Sequence, residues 1–135
     1  MCMNNVIYEG FFIDGNLNSK LAKNIDNKHV TTEFRPSVTH EYLYGEKVKL
    51  RIDAYGNDGE NEGLFVNGIT TDNLDVLLLF MNVETPHITL SVSENGKPVN
   101  TSKIKFSETW NGDEYIDATF GAFTGKEVIT CCPMN

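Results

Sequence analysis

The chain has 135 residues, with 19 acidic and 11 basic side chains and a formal net charge of −8. This length fits one domain, and we treat residues 1–135 as a single unit. Proteins that grip long duplex nucleic acid gain most of their affinity from Lys and Arg contacts to phosphates. The acidic balance therefore excludes such a partner, whereas a small anion held in a local pocket stays compatible with it.

The cysteines and the apolar runs bear on the compartment. Cys2, Cys131 and Cys132 lie at the two ends of the chain. An odd count with two adjacent members indicates free thiols in a reducing compartment. Residues 76–81 form the longest apolar run, which is too short to span a bilayer. With no basic stretch leading into an apolar one at the start, we expect a soluble, cytoplasmic protein with no membrane partner.

The first half of the chain predicts three strands and one helix. Residues 6–14 are rich in β-branched and aromatic side chains, which favours a strand. Asn18 or Ser19 can cap a short helix that runs to Ile25. Residues 29–34 predict a second strand, which ends at Arg35-Pro36 because proline cannot donate to a ladder. Residues 47–55 alternate between apolar and mostly charged side chains, as a half-buried strand does.

The second half predicts more strands, again with short helical segments. The Gly-Asn-Asp-Gly run at residues 56–59 is typical of a hairpin turn, and residues 62–69 return as its partner strand. The apolar run within residues 70–80 fits a helix or a strand equally well. A strand is predicted at residues 87–92, a short helix or strand at 98–105, and a closing hairpin from 115–123 and 126–130. The whole pattern predicts an α+β fold with antiparallel sheet.

Two of these strands begin with the same three-residue pattern. Residues 29–31 read His-Val-Thr, and residues 87–89 read His-Ile-Thr. Side chains alternate between the two faces of a strand, so the histidine and threonine of each motif share one face. The β-branched residue between them points to the opposite, buried side. Each motif therefore presents an imidazole beside a hydroxyl on a fixed strand.

This pair of motifs suits phosphodiester chemistry if the two strands lie together. One neutral imidazole can accept a proton from a nucleophile, and one imidazolium can protonate the leaving oxygen, because histidine titrates near neutral pH. The hydroxyls of Thr31 and Thr89 can bind the non-bridging phosphate oxygens. The arrangement of His29 and His87 requires no metal ion.

The paired His-x-Thr signatures resemble those of the 2H phosphoesterase superfamily, also called LigT-like. The resemblance implies a compact bilobal α+β fold in which antiparallel sheets flank a central cleft. It implies hydrolysis of a small nucleotide, either a 2′,3′-cyclic phosphate or a cyclic oligonucleotide, without a cofactor. Carried over by position, His29 and His87 are the catalytic acid–base pair, and Thr31 and Thr89 bind the phosphate. Which histidine is the base stays open.

Other residues near the motifs have two interpretations each. Arg35 follows the first motif and either binds the phosphate or forms a salt bridge. His40 has no threonine two positions on, which favours a surface role, and Phe34 is expected in the core. Tyr8 lies on the first strand, where core packing is favoured over stacking on a base. Trp110 either borders a pocket or packs locally.

Two alternatives to the enzyme remain. The first is a non-catalytic module that sequesters a nucleotide in the same pocket. The second is a structural or interaction domain in which the two His-x-Thr motifs are fortuitous. A cavity shared by the two imidazoles would favour the enzyme or the sequestering module over the structural domain. Turnover would then distinguish the enzyme from the module.

Overall fold

The computed structural model describes residues 5–131, so Cys2 and Cys132 lie outside the described residues. The thiol of Cys131 is free and exposed. Helix α1 spans Leu74–Met81, and 3₁₀ helices span Glu41–Leu43 and Pro98–Lys103. The strands are β1 (Tyr8–Ile13), β2 (Lys23–Asn24), β3 (His29–Phe34), β4 (Lys47–Asn57), β5 (Asn61–Thr70), β6 (His87–Val92), β7 (Glu108–Thr109), β8 (Tyr115–Phe123) and β9 (Val128–Ile129).

These strands join one antiparallel sheet in the order β2-β6-β5-β4-β8-β1-β3, with β7 paired to β4 and β9 to β8. Antiparallel sheet with short helices was expected, and this is confirmed. The sheet is continuous across residues 5–131, in contrast to the separate sheets that the resemblance implies. The predicted strands at residues 29–34 and 87–92 match β3 and β6 to the residue.

The sheet curls so that its two ends meet. In the strand order, β3 is one end and β6 is next to the other end, yet β3 and β6 contact each other. The apolar faces therefore turn inward around one core. Strands all along the sheet contribute fully buried side chains to it, among them Phe11, Val30, Leu50, Leu64, Val66, Ile88, Leu90 and Phe120. Each such side chain contributes about 1.5–3 kcal/mol, which makes this core the main source of stability.

Helix α1 resolves the ambiguous apolar run. The side chain of Asn73 accepts hydrogen bonds from the backbone N–H groups of Asp75 and Val76 and so caps the first turn. Val76 and Phe80, four residues apart, share the buried face. A bilayer-spanning helix needs about 20 apolar residues, so neither α1, with eight residues, nor any other helix within residues 5–131 could cross one.

The predicted helix from Asn18 or Ser19 to Ile25 is wrong. This segment is extended and lies along β6, where its short strand β2 pairs with the end of β6. The backbone N–H of Leu21 donates to the Ser91 hydroxyl at 3.1 Å, and that of Ile25 donates to the Leu90 carbonyl at 3.1 Å. Because β6 takes these donors, no intrahelical hydrogen bonds form.

Candidate active site

Strands β3 and β6 present the two His-x-Thr motifs on the outer surface of the sheet, where the strands meet. Val30 and Ile88, the middle residues, are both fully buried in the core. The histidine and threonine of each motif are half-buried on the opposite face. The alternation predicted from the sequence is thereby confirmed. The contact between β3 and β6 brings the two motifs to one place.

The hydrogen bonds of His29 fix its tautomer. Its Nδ1 lies 2.9 Å from the carbonyl oxygen of Asn27, which can only accept, so Nδ1 carries the proton. In the neutral ring, Nε2 is then the free base, and it accepts a hydrogen bond from the hydroxyl of Thr31 at 3.1 Å. The motif threonine therefore marks the atom of His29 that can take up a proton.

Aromatic side chains enclose the His29 ring. The ring of Tyr8 stacks on it with 4.3 Å between centroids, and Phe12 lies at 5.4 Å. Burial among these rings lowers the pKa of His29 to about 4; the Asn27 carbonyl opposes this shift, and the charge of protonated His87 adds to it. His29 is therefore neutral at pH 7. Burial also raises the pKa of the Tyr8 hydroxyl to about 12, so Tyr8 stays protonated.

His87 repeats the local geometry of His29. Its Nδ1 lies 2.7 Å from the carbonyl oxygen of Thr85, which again stands two residues before the histidine. The carbonyl holds the proton on Nδ1 and leaves Nε2 as the second reactive nitrogen. The effect of the His87 charge on the pKa of His29 agrees with the contact between β3 and β6. The two imidazoles are therefore close enough for the charge of one to lower the pKa of the other.

A second repeat accompanies the histidine motifs and was missed in the sequence. Residues 9–12 read Glu-Gly-Phe-Phe, and residues 62–65 read Glu-Gly-Leu-Phe. The first copy lies on β1, paired with β3, and the second lies on β5, paired with β6. In both pairs the register shifts between the glutamate and the glycine, and the glycine stands opposite the motif threonine. Comparing the strand preceding each histidine would have found this repeat.

The two glycines of this repeat permit close packing of the strands. A Cβ atom on Gly10 would lie 2.2 Å from the carbonyl oxygen of Val30, and one on Gly63 would lie 2.9 Å from that of Ile88. Both contacts are with the backbone of the middle motif residue, which cannot move aside without shifting its strand. Glycine at these positions therefore sets where each His-x-Thr strand sits.

The glutamate of the first copy is fully buried, and it corrects the prediction for His40. Glu9 accepts hydrogen bonds from the Nδ1 and the backbone N–H of His40, both at 2.7 Å, and from the Tyr44 hydroxyl at 2.6 Å. His40 is therefore a structural partner of a buried carboxylate and not a surface residue. Glu9, Glu33 and His40 lie close enough together to suggest a metal site. The donors around Glu9 instead account for its burial.

The glutamate of the second copy lies beyond the second motif. Glu62 accepts hydrogen bonds from the hydroxyl of Ser91 at 2.6 Å, from the backbone N–H of Lys20 at 2.9 Å, and from the Tyr55 hydroxyl. Glu62 pairs with Ser91, and the next residue on β5, Gly63, pairs with Thr89 across a register shift. Because adjacent residues of a strand point to opposite faces, Glu62 and Ser91 lie on the opposite face of the sheet from His87 and Thr89.

The structure does not bring Arg35 to the histidines. Arg35 follows the far end of β3, has a φ of 48°, and stacks its guanidinium over the Phe34 ring at 5.2 Å. The six residue steps from His29 to Arg35 span about 20 Å along a strand. The prediction that Phe34 is a core residue is wrong, since it is 63% exposed at the edge of the sheet.

No family model, no curated protein and no solved structure matches this chain.

Proposed function

We propose that the protein is a metal-independent phosphodiesterase of the 2H type that hydrolyses a small nucleotide. The observation that carries the proposal is the meeting of the two His-x-Thr strands, with both imidazoles on the outer face and each Nδ1 bound to a backbone carbonyl. This leaves the Nε2 atom of each ring available, and that of His29 lies 3.1 Å from the Thr31 hydroxyl. The repeated Glu-Gly strands beside them give the two motifs matching strand surroundings, as expected for a pair that acts together.

His29 is the general base in this proposal. Its enclosure by aromatic rings keeps it neutral at pH 7, and its Nε2 lone pair already accepts the Thr31 hydroxyl. A water molecule that replaces this hydroxyl would meet the same lone pair. A general base must stand within hydrogen-bond reach of the proton it removes, which this geometry allows.

His87 is the general acid. The rings of Tyr8 and Phe12 beside His29 and the charge of a second imidazolium both disfavour its charged form, so His29 is not the proton donor. The other imidazole, His87, is left for this role. Its Nε2–H can then donate to the leaving oxygen.

The reaction on a 2′,3′-cyclic phosphate balances with these groups alone. Nε2 of His29 takes a proton from water while the water oxygen forms a bond to phosphorus. The bond from phosphorus to one ribose oxygen breaks, and Nε2–H of His87 protonates that oxygen. The hydroxyls of Thr31 and Thr89 donate to the non-bridging oxygens and stabilise the charge that develops there. Proton exchange with solvent restores the starting state.

Turnover in the presence of EDTA tests the proposal. Purified protein is incubated with each nucleoside 2′,3′-cyclic phosphate and with cyclic di- and trinucleotides, and the products are separated by chromatography. We expect hydrolysis by the native chain, with losses of at least 10²-fold for His29→Asn and for His87→Asn, the range typical of general acid–base catalysis.

The third histidine supplies the matched control. His40→Asn removes an imidazole that lies outside the pair, and we expect near-native turnover provided that thermal unfolding shows the variant to be folded. Thr31→Val should lower kcat by about tenfold or more, because it removes a hydroxyl that contacts the transition state. Thr32→Val on the same strand should not, since the Thr32 hydroxyl bonds the Glu9 carbonyl.

Two outcomes would contradict the proposal of a metal-independent phosphodiesterase. Hydrolysis that disappears in EDTA and returns with a divalent cation would replace the proposed mechanism. Nucleotide binding by the native chain with no turnover on any substrate would instead assign the pocket to a sequestering module.

A further inference from the structure

Each motif histidine lies opposite a phenylalanine, the last residue of the Glu-Gly repeat on the neighbouring strand. Phe12 pairs with His29 across β1 and β3, and Phe65 pairs with His87 across β5 and β6. Paired residues of antiparallel strands point to the same face, with Cβ atoms about 4.5–5.5 Å apart. Leu64, the residue before Phe65, is fully buried in the core, so alternation also places Phe65 on the outer face. Both imidazoles therefore have a phenyl ring beside them on their own face of the sheet.

The two phenylalanines differ in their exposure. Phe12 is only 5% exposed, and its ring centroid lies 5.9 Å from that of Tyr8 and 5.4 Å from that of His29. Phe65 is partly exposed. The ring beside His29 is therefore packed within the protein, whereas the ring beside His87 offers surface that a ligand can reach.

A second phenyl ring extends this surface along the second motif. The ring of Phe106 is partly exposed, and its centroid lies 5.7 Å from that of Phe65, with the two planes 43° apart. A Cβ atom on Gly63 would lie 3.5 Å from the Phe106 ring, which places this ring over the outer face of β5. Gly63 in turn pairs with Thr89. The two rings therefore follow the second motif on its own face, Phe65 at the histidine and Phe106 at the threonine.

The segment that carries Phe106 is fixed to the sheet before and beside this ring. Thr101, in the second 3₁₀ helix, is fully buried, and its hydroxyl accepts a hydrogen bond from the side chain of Asn61 at 2.9 Å. The carbonyl oxygen of Lys105 would lie 2.5 Å from a Cβ atom on Gly56, so the backbone there packs directly on β4. Because these contacts hold the segment in place, stacking a ligand on Phe106 would cost little conformational entropy.

Another pair of rings, Trp110 and Tyr55, is stacked beside a cavity of about 350 Å³. Glu62 also lines this cavity. Because Glu62 lies on the opposite face of the sheet from His87, we do not place the substrate there.

The direction of the proposed reaction sets the side on which the nucleoside lies. His87, the proposed acid, protonates the ribose oxygen that leaves phosphorus. The ribose and the base attached to it must then lie on the His87 side of the phosphate. The two partly exposed phenyl rings are on this side.

We infer that Phe65 and Phe106 form the subsite that holds the nucleobase of the substrate. The inference rests on the proposed function for the position of the phosphate, and it adds the residues against which the base stacks. Phenyl rings offer a π-face and no hydrogen bonds, so these two side chains bind a base without selecting one of the four.

NMR tests the contact between base and ring without turnover. The probe protein is the full chain carrying His29→Asn, which removes the proposed base and leaves the His87 side unchanged. It is deuterated except for its phenylalanine rings, and each nucleoside 2′,3′-cyclic phosphate is added in turn. We expect nuclear Overhauser effects from the phenyl rings to the protons of the nucleobase. They should disappear when Phe65→Leu is added and persist when Phe34→Leu is added, since Phe34 lies at the far end of β3.

Kinetics in the native background separate stacking from a structural role. Glycerol 1,2-cyclic phosphate, which has the same reacting ring and no base, is the matched substrate. Phe65→Leu and Phe106→Leu keep an apolar side chain but lose the ring, and each should raise KM for a nucleotide by about fivefold or more. Hydrolysis of the glycerol compound should stay within about twofold of native. Phe65→Tyr, which keeps a ring, should remain close to native, and Phe34→Leu should change neither substrate.

The outcomes separate this inference from the proposed function. Turnover with an unchanged KM in both leucine variants would overturn the subsite and leave the enzyme intact. Equal losses on both substrates would also overturn it, because the rings would then act on the motif and not on the base. Ring-to-base effects that depend on Phe65, without turnover by the native chain, would support the subsite and reject the enzyme. Absence of both binding and turnover for every nucleotide would overturn the two together.

Discussion

His29 and His87 share one contact and differ in another, and that difference assigns their roles. Each places Nδ1 against the carbonyl oxygen two residues upstream, so in both rings the proton stays on Nδ1 and Nε2 is the basic nitrogen of the neutral form. The rings of Tyr8 and Phe12 cover His29. Desolvation disfavours the charged form of an imidazole. The proposed base is therefore the ring that the fold keeps uncharged.

The pH dependence of activity follows from this enclosure. A base with a pKa of about 4 stays active as the pH falls and is lost only when the pH drops through about 4. We expect the acid limb of kcat/KM, which reports the free enzyme, near pH 4. The acid limb of the kcat profile should lie at higher pH than that of kcat/KM, because a bound phosphate stabilises the imidazolium form of His29. Rates measured between pH 3 and pH 9 on one cyclic nucleotide check both statements.

Titration of the ring nitrogens by NMR supplies the control for this prediction. In His87→Asn, the like charge beside His29 is gone, so its pKa should rise toward the ordinary value of about 6.5. It should not reach that value, since burial is the larger cause of the shift. A native His29 that titrates near 6.5 would contradict the assignment of the base.

The sequence predicts the burial of some single residues correctly and of others wrongly. Val30 and Ile88 were placed in the core by alternation alone, because a strand face is a local property. Phe34 was placed there on the same rule, but β3 is an edge of the sheet and its last residues have no layer above them. His40 gave no local sign of its partner, since Glu9 lies on another strand. Contacts between strands that are distant in the sequence cannot be predicted from local patterns.

At the scale of the elements, two strand pairs carry the candidate site. Each joins a Glu-Gly strand to a His-x-Thr strand, with a register shift at the Glu-Gly step. A β-bulge re-aims the side chains that follow it. The glycine at this step lets the two strands approach closely opposite the motif threonine. Sequence comparison found one half of this repeat, and the pairing supplied the other.

Replacing Gly10 by alanine tests the importance of this close packing. The added Cβ would lie 2.2 Å from the Val30 carbonyl oxygen, so β1 and β3 must move apart. We expect a loss of about 1–3 kcal/mol in the free energy of unfolding, as for overpacking in a core. Urea denaturation measures it.

Gly15→Ala is the matched control, because a Cβ on Gly15 meets no atom within 4 Å. Its unfolding midpoint should stay close to that of the native chain. In Gly10→Ala, kcat should also fall under conditions where the variant is fully folded, since Thr31 pairs with Gly10. Equal midpoints for the two variants would show that the strands adjust freely.

Element prediction failed where tertiary contacts replaced local ones. The polar residues at Asn18 and Ser19 fit a helix cap, yet the backbone donors of this segment bond to β6 and to Glu62. Strands β3 and β6 were predicted with their correct ends, since their β-branched residues and the flanking turns are local signals. The curl that brings these two strands together depends on the whole sheet, which no single segment encodes.

The charge of the whole molecule limits its substrates. Its net charge of −8 opposes binding of any long polyanion, whereas the proposed site contacts one phosphate. Proteins that neutralise six to ten phosphates lose roughly 10³–10⁵ in affinity between 50 mM and 200 mM salt. A single-phosphate contact loses only a few-fold over that range. The salt dependence therefore reports how many phosphates the protein holds.

We expect kcat/KM for a nucleoside 2′,3′-cyclic phosphate to change by less than about tenfold between 50 mM and 200 mM salt. Long single-stranded RNA without a terminal cyclic phosphate should not inhibit this reaction at low salt, because the acidic surface repels it. Steady-state rates with and without the RNA, at each salt concentration, measure both. Strong inhibition by the polymer, relieved by salt, would mean that a basic path crosses this surface and that the substrate is a nucleic acid chain.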